Sequence, residues 1–405
     1  MSGSTATDLS AAPAEESRSA MPSGFELTIL MPCLNEAETL EVCIRKALGF
    51  LEKHNVVGEV IIGDNGSTDG SQEIARRLGA RVVPVSVRGY GAAIYYGSLD
   101  ARGKYVIVGD SDDSYDFSDL MPFLNALRGG CDLVMGNRFQ GGVKPGAMPW
   151  KNRYIGNPIL TWIGRLLFHC PSSDFHCGLR GYSMNAFRKM ELQTTGMEFA
   201  SEMVIKSTLL GLNIVEVPTT LSPDGRTRAP HLRPWRDGWR HLRFMLIYSP
   251  RWLFFYPGMA LMLIGLIVGA WLLPGPRTVA GVTFDIHTLF YASLAVLIGF
   301  QGVMFAVFSK TFAVNEGLVP RTVNSERVEQ GCSLELGLIA GGALVLLGIA
   351  GSIWGVTSWA RDDFGRVDPS DMLRVVIPAG MSLALGAQLM LQSFFFSVLQ
   401  LKRRR

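Results

Sequence analysis

The chain is short of charge, of cysteine and of repetition. Only 18% of its 405 residues are Asp, Glu, Lys or Arg, and the net charge is +3. So small an imbalance selects no partner by itself, and the placement of the charges carries the information. The six cysteines, at 33, 43, 131, 170, 177 and 332, sit in apolar or ordinary sequence. That excludes a disulfide framework and suggests reduced, buried thiols in a cytosol-facing domain. Residues 1–22 are rich in Ser, Ala, Thr and Glu and have no hydrophobic run, which reads as a disordered leader rather than a signal peptide. No internal repeat is visible, which leaves out solenoids and propellers.

Where charge is concentrated, it is organised. Tyr105-Val-Ile-Val-Gly-Asp110-Ser-Asp112-Asp113-Ser-Tyr-Asp116-Phe117 joins a short apolar run to a knot of carboxylates. Tyr105 to Val108 reads as a buried strand of a parallel sheet, and ligands of such sheets lie outside the carboxyl ends of the strands. Asp110 and Asp112 therefore stand where a ligand would be, able to share one Mg²⁺ or Mn²⁺ that also binds substrate phosphates. A solvated acidic turn with a helix N-cap is the alternative for any such pair. A calcium loop of the EF-hand kind is excluded, because its sixth position would be Tyr115 rather than Gly and its twelfth Met121 rather than Glu.

From 25 to 110, strand and helix alternate. The pattern predicts strands over 25–31, 59–63, 81–85 and 105–108, with helices over 35–50, 70–79 and 92–101. A helix from near Ser118 and a strand over 132–135 follow. Units of this length predict a right-handed, mainly parallel α/β sheet. Strand ends are followed by polar residues: Asn35 and Glu36, then Asp64 and Asp69, then Asp110 and Asp112. They converge on one sheet edge, where a nucleotide would lie. Taken alone, Asp64-Asn-Gly-Ser is also a strong turn former. Gly89-Tyr-Gly91 lacks the third glycine of a dinucleotide fingerprint, since Ile94 stands in its place.

As a set, Pro32-Cys-Leu-Asn35-Glu36, Asp64-Asn-Gly-Ser-Thr-Asp69, Gly89-Tyr-Gly-Ala-Ala and Asp110-Ser-Asp112 resemble family 2 glycosyltransferases of the GT-A fold. Within that family the chain is similar to dolichyl-phosphate mannose synthases and bacterial polyprenyl-phosphate glycosyltransferases. Met135-Gly-Asn-Arg138-Phe, Asp174-Phe-His-Cys-Gly178-Leu-Arg180-Gly-Tyr and Ser201-Glu202-Met-Val-Ile-Lys206 extend the likeness to about residue 250. The acidic loop departs from the family by continuing Asp113-Ser114-Tyr115, where a small residue and then Gln or Gly is usual.

The resemblance implies transfer of a sugar, mannose or glucose, from a nucleoside diphosphate sugar to a polyprenyl or dolichyl phosphate, with inversion. It assigns Pro32, Asn35, Glu36, Asp64, Asn65 and Asp69 to the nucleotide sugar. Asp110 and Asp112 would hold Mg²⁺ or Mn²⁺ and the diphosphate. Arg138 and Arg180 would contact the acceptor phosphate, with Arg226 and Arg228 closing from a mobile loop. The acceptor is already an anion, so no strong general base is required. Glu202 and Lys206 read equally as an intrahelical ion pair worth about 0.3–0.5 kcal/mol. His169-Cys170 and His176-Cys177 invite a zinc reading, but adjacent ligands in both pairs depart from known spacings.

Between Gly225 and Arg251 lie Arg226, Arg228, Arg233, Arg236, Arg240 and Arg243, with Trp235 and Trp239 among them. Nucleic acid could use such a cluster. Its position just ahead of a long apolar run favours lipid headgroups or a lipid phosphate instead. Leu232, Trp235, Trp239, Leu242 and Met245 recur at helical spacing and predict an interfacial amphipathic helix over 231–251. Four apolar segments, 253–273, 288–309, 334–356 and 375–399, approach the ~20 residues that cross a hydrocarbon core. Lys and Arg before the first segment, in 310–333 and in the 402–405 tail place these stretches in the cytosol, with both termini and the catalytic domain. The expected map is a leader (1–22), a GT-A domain (23–230), the interfacial helix (231–251), a membrane domain (252–400) and a basic tail (401–405).

Two other readings compete. A processive polysaccharide synthase would carry Q-x-x-R-W near the membrane; the chain has none, and Arg233-Pro-Trp-Arg is no substitute. A lipid-carrier transporter or non-catalytic scaffold would leave the acidic positions without a task. Its membrane segments would also need ionisable residues, of which these hold very few.

Overall fold

The computed structural model describes residues 24–227, 234–320, 333–361, 363–366 and 368–401. Four parallel strands come first: β1 (Leu27–Cys33), β2 (Gly58–Asp64), β3 (Arg81–Pro84) and β4 (Tyr105–Val108). Their crossovers are the helices α1 (Leu40–Lys53), α2 (Ser71–Arg77) and α3 (Tyr90–Leu99). The sheet continues through β5 (Leu133–Asn137), β6 (Arg180–Ser183) and β7 (Ile214–Pro218), in the order β3-β2-β1-β4-β6-β5-β7. β6 is antiparallel to both neighbours, so the sheet is mainly parallel, a GT-A-like α/β domain.

Both faces of the sheet are covered, which is why its central strands are apolar throughout. Leu27, Ile29 and Met31 of β1 enter a core shared with α1 and with α4 (Met121–Arg128). Leu30 points the other way, into a core with α7 (Met184–Met190) and α8 (Phe199–Leu209). Two helices interrupt the second half of the sheet, α5 (Arg138–Gly141) and α6 (Asn157–Phe168), the latter entered through a π-helical turn, Asn152–Gly156.

Two expected boundaries differ, for physical reasons. β1 runs on through Pro32 to Cys33 rather than stopping at Met31. Its pairing with β4 ends at Leu30, so the N–H that Pro32 lacks faces no partner strand, and its carbonyl accepts from Ser111 Oγ at 2.8 Å. Residues 35–39 are not helical. Asn35 is left-handed at φ 57°, and its loop is tied to the loop after β2 by Asn35 N–H on Ser67 Oγ (2.9 Å) and Thr68 N–H on Asn35 Oδ1 (2.8 Å).

After the sheet come α9 (Pro234–Ile247), α10 (Tyr256–Leu272), α11 (Ile286–Asn315), α12 (Leu334–Arg361) and α13 (Pro369–Leu399). The last four, α10 taken with a π-helical turn from Arg251, are long and apolar enough to cross a membrane. They pair as α10 with α11 and α12 with α13, and α11 also packs on α13. Glycines set the closeness: a Cβ on Gly299 would lie 2.5 Å from the Gly258 carbonyl oxygen, and one on Gly386 2.5 Å from that of Gly341. Close approach at small residues is how helices pack in lipid.

Candidate active site

The loops that leave β1, β2 and β4 border one cleft of about 800 Å³. Pro32, Asn35 and Glu36 line it from β1, Asn65 and Gly66 from β2, and Asp110, Ser111 and Asp112 from β4. Asp64 and Asp69 do not line it. Asp64 is 1% exposed and accepts from Gly66 N–H (3.1 Å), Ser67 N–H (3.2 Å) and Gln72 Nε2 (2.6 Å). Asp69 accepts from Ala37 N–H (2.9 Å) and the Ser71 hydroxyl (2.6 Å). Asp64 holds the loop after β2, and Asp69 ties that loop to the one that carries Asn35 and Glu36.

Asn65 fixes the opposite wall: its amide donates to Val87 O (2.7 Å) and accepts from Gly89 N–H (2.6 Å). Gly89 has φ +138°, and a Cβ there would lie 2.1 Å from Thr195 O. Gly91 and Ala92 donate to Gly196 O and Thr195 O at 3.2 and 3.0 Å. The Gly89-Tyr-Gly91 signal is thus a close approach of two loops at the cleft wall.

Asp110 and Asp112 both line the cleft. Burial, and next the charge of Asp112, push the Asp110 carboxyl up to about 6, against a hydrogen bond from Tyr90 and the fields of Arg226 and Arg180. Gly178 is required beside it, since a Cβ there would lie 2.4 Å from Asp110 Oδ2. Asp112 accepts from Ser114 N–H (3.0 Å) through Oδ1, and its Oδ2 receives the Arg226 guanidinium. Arg226 Nε also lies 3.3 Å from Glu36. Its segment is laid over the cleft by Gly225 N–H on Asp112 O (3.0 Å) and Thr227 N–H on Glu38 (2.8 Å).

Residues 28–191 match the family model described as glycosyl transferase family 2, and residues 307–400 match the family 2 C-terminal transmembrane region. The low-salt glycan biosynthesis hexosyltransferase Agl6 of Haloferax volcanii is 37% identical over 380 residues, 92% of this chain and 89% of that protein. The chain belongs to glycosyltransferase family 2. Its transmembrane region and four apolar helices make it an integral membrane member of the family. This glycosyltransferase is also similar to the dolichyl-phosphate hexose transferase of the same organism, 30% identical over 48% of this chain and 81% of the relative. Among solved structures, glucosyl-3-phosphoglycerate synthase from Mycobacterium tuberculosis with Mg²⁺ and UDP matches at TM-score 0.43 and 23% identity, over 56% of this chain and 80% of that one.

The glycosyltransferase's two expected acceptor-site arginines are buried and bonded within the catalytic domain. Arg138 is 8% exposed, and its fork is taken up by the fully buried Asp174, Nε to Oδ2 and Nη2 to Oδ1 both at 2.7 Å. Arg180, paired in register with Val108, donates to Ala200 O at 2.9 Å and to Cys177 O. Neither lines the cleft. The arginines that do are Arg88, Arg226, Arg236 and Arg240 among the described residues; Arg228 lies outside them. Arg236 and Arg240 sit one turn apart on α9, inside the basic stretch, and that spacing was the available signal.

Several other residues singled out in the sequence have local partners. Tyr115, the residue unusual for the family, is buried with its hydroxyl accepting from Gly178 N–H at 2.9 Å, so it fixes the glycine beside Asp110. Glu202 and Lys206 are a buried pair at 3.1 Å rather than a surface one. Glu202 also accepts from Thr194 N–H (2.8 Å), and Lys206 donates to Glu191 O (2.6 Å). The expected apolar face of α9 is divided: Met245 turns into the catalytic domain, while Trp239 is 59% exposed. Leu232 lies outside the described residues. His176 packs on His241 with ring centroids 4.6 Å apart, and burial drives it well below the usual imidazole range, so it is neutral at pH 7.

Proposed function

We propose that the cleft transfers a hexose from a nucleoside diphosphate sugar to a polyprenyl or dolichyl phosphate, with inversion at the anomeric carbon. The observation that carries this reading is the meeting of carboxylates and arginines in one cleft. Asp110 and Asp112 line it, Arg226 is bonded to Asp112, and Arg236 and Arg240 enter it from the helix ahead of the spanning helices.

A diphosphate beside two carboxylates requires an intervening cation, and hard oxygen donors suit Mg²⁺ or Mn²⁺, which would offset the charge growing on the leaving diphosphate. Asp110 and Asp112 would hold it. No cluster of three His, Cys, Asp or Glu capable of caging a metal occurs among the described residues. Two carboxylates fit an ion that completes its shell with substrate oxygens and water. The guanidinium of Arg226, set between Asp112 and Glu36, marks the place as one that accepts positive charge.

Pro32, Asn35, Glu36 and Asn65 form the nucleotide half of the cleft, with Asp64 and Asp69 supporting their loops. Arg226, Arg236 and Arg240 draw the acceptor phosphate toward the sugar, and the phosphate oxygen attacks without a side-chain base. A relative named dolichyl-phosphate hexose transferase supports a lipid phosphate as acceptor. The basic residues ahead of the first spanning helix support a cytosolic catalytic domain.

The test is a radiolabelled transfer assay on the full chain in detergent, offering UDP-glucose, GDP-mannose and related donors to a polyprenyl phosphate. The expected product is chloroform-soluble and acid-labile, and disappears with EDTA. Polymer, or donor hydrolysis with no lipid product from any donor, would exclude the lipid-phosphate acceptor.

A further inference from the structure

We propose, resting on the nucleotide-sugar reading of the cleft, that the membrane domain is part of the donor site. The end of α11 seats the loop between α7 and α8, and Lys206 is the positioning residue that joins the two. Residues 191–198 make one wall of the cleft, where Gly196 and Met197 line it. The wall in turn fixes the Gly89-Tyr90-Gly91 turn. Gly196 O accepts from Gly91 N–H at 3.2 Å and Thr195 O from Ala92 N–H at 3.0 Å, while the Tyr90 hydroxyl donates to Asp110. A displacement of the loop therefore reaches the carboxylate that would hold the metal.

The wall is held from behind by groups that the transfer chemistry does not use. Glu202 of α8, fully buried, accepts from Gln193 N–H (3.0 Å), Thr194 N–H (2.8 Å) and the Thr194 hydroxyl (2.6 Å). Lys206, one turn further and 2% exposed, has an ammonium with three N–H groups to place. Its partners are Glu202 at 3.1 Å, Glu191 O at 2.6 Å and Gly317 O at 3.5 Å. These belong to α8, to the wall loop and to the stretch that follows α11. That stretch meets the catalytic domain at further points. Gln193 Nε2 donates to Glu316 O (3.5 Å), and Leu318 and Val319 pack on the core that holds Leu192 and Phe199. α11 is itself tied to α13 by Asn315 Nδ2 on Leu399 O (2.7 Å). An apolar pair at 202 and 206 would bury at a smaller desolvation cost. What the charged pair adds is direction, because one ammonium fixes a helix, the cleft wall and the membrane domain against each other.

The test measures equilibrium binding of UDP-glucose, GDP-mannose and related nucleotide sugars, each with Mg²⁺, to the full chain in detergent. No acceptor is present, and thermal unfolding is followed in parallel. Lys206→Met alone would strand the Glu202 charge, so it is combined with Glu202→Gln, which leaves a neutral pair of similar volume. Val319→Asp approaches from the membrane side and changes no residue of the catalytic domain. The double variant and Val319→Asp are each expected to unfold near the wild-type midpoint and to bind the nucleotide sugar about tenfold more weakly, the scale of losing a group that orients a metal ligand. Wild-type affinity in the folded double variant would reduce Lys206 to a stabilising pair and overturn the proposal. Weakened binding in the double variant beside wild-type affinity in Val319→Asp would confine the effect to the catalytic domain and remove α11 from the site. A wild-type chain that binds no nucleotide sugar would refute the reading of the cleft, and this inference with it.

Discussion

The two halves of the sheet treat charge in opposite ways. Where β1, β2 and β4 end, carboxylates and amides stand on loops at the rim of a cleft, and Asp110 is held there at a cost to its ionised form. Across β5 and β6, Arg138, Asp174 and Arg180 turn inward and are fully engaged by one another's neighbourhood. The difference follows from access to water and substrate. A charge lining the cleft can exchange its partner for a ligand, as Asp112 can exchange Arg226, whereas a charge packed inside the domain must keep its partner, because leaving it bare in low dielectric is prohibitive. Similar motif arginines thus lie bonded inside the domain, while the arginines that line the cleft are Arg88, Arg226, Arg236 and Arg240 among the described residues.

The strongest test of this contrast removes the carboxylates that line the cleft. Asp112→Asn is expected to lower transfer about 10²–10³-fold, the scale of losing one preorganised electrostatic group. Asp110→Asn should do the same with an unchanged or higher thermal midpoint, since burial and Asp112 oppose its charge. The pH dependence has a definite sign. Between the ordinary value of 3.8 and about 6 the native state binds more protons at Asp110 than the unfolded chain does. Acidification through that window therefore stabilises the wild type relative to Asp110→Asn. Transfer with metal bound falls at lower pH than that window, because a cation at Asp110 favours its carboxylate. Thermal unfolding and transfer rates measured in parallel across pH would check both; a midpoint difference independent of pH would break the argument.

Arg138 and Arg226 sharpen the comparison from the other direction. Arg138→Ala leaves Asp174 buried without its partner, and loss of one member of such a pair costs about 3–5 kcal/mol. The expected outcome is a destabilised or unfolded catalytic domain. Arg226→Ala removes the cation shared by Asp112 and Glu36, two buried carboxylates of the cleft. Its thermal midpoint should fall too and recover when Mg²⁺ or Mn²⁺ is added, while transfer drops about tenfold, the size of one lost charge-assisted contact. Denaturation curves beside transfer kinetics separate the two. An Arg138→Ala protein as stable as wild type but inactive would restore Arg138 to the acceptor site.

Much of this was legible in the residues. Runs such as EVIIGD and YVIVGD fix both a strand and the polar residue at its end, and the position of that residue relative to the sheet follows from parallel topology. The four apolar helices were equally plain, since twenty apolar residues have few other uses. The fate of Arg138 was not, because its partner Asp174 is far away in sequence and only the pairing of β5 with β6 brings them together. Asp64 was ambiguous for a related reason: the same carboxylate chemistry serves a turn or a ribose, and local N–H groups decide which. The split face of α9 was hidden because helical spacing reports that residues share a side, not what lies against it.

The smallest expected effect concerns the two remaining carboxylates of the acidic loop. Asp113 is left-handed at φ 62° and pairs with Lys46 at 2.7 Å, both side chains about a third exposed. Asp116 accepts from the N–H and hydroxyl of Ser118, at 3.0 and 2.6 Å, and so closes the turn ahead of α4. Neither lines the cleft. An exposed pair of this kind contributes about 0–1 kcal/mol, and Asn keeps both the left-handed backbone and a polar side chain. Asp113→Asn should therefore leave metal dependence and transfer within about twofold of wild type, and Lys46→Ala should match it. Titrating Mg²⁺ or Mn²⁺ against transfer in these variants is the check. A shift in the metal requirement of Asp113→Asn as large as that of Asp110→Asn would mean that the loop rearranges on binding to bring a third carboxylate inward. The inward–outward division of its carboxylates would then hold only for the ligand-free cleft.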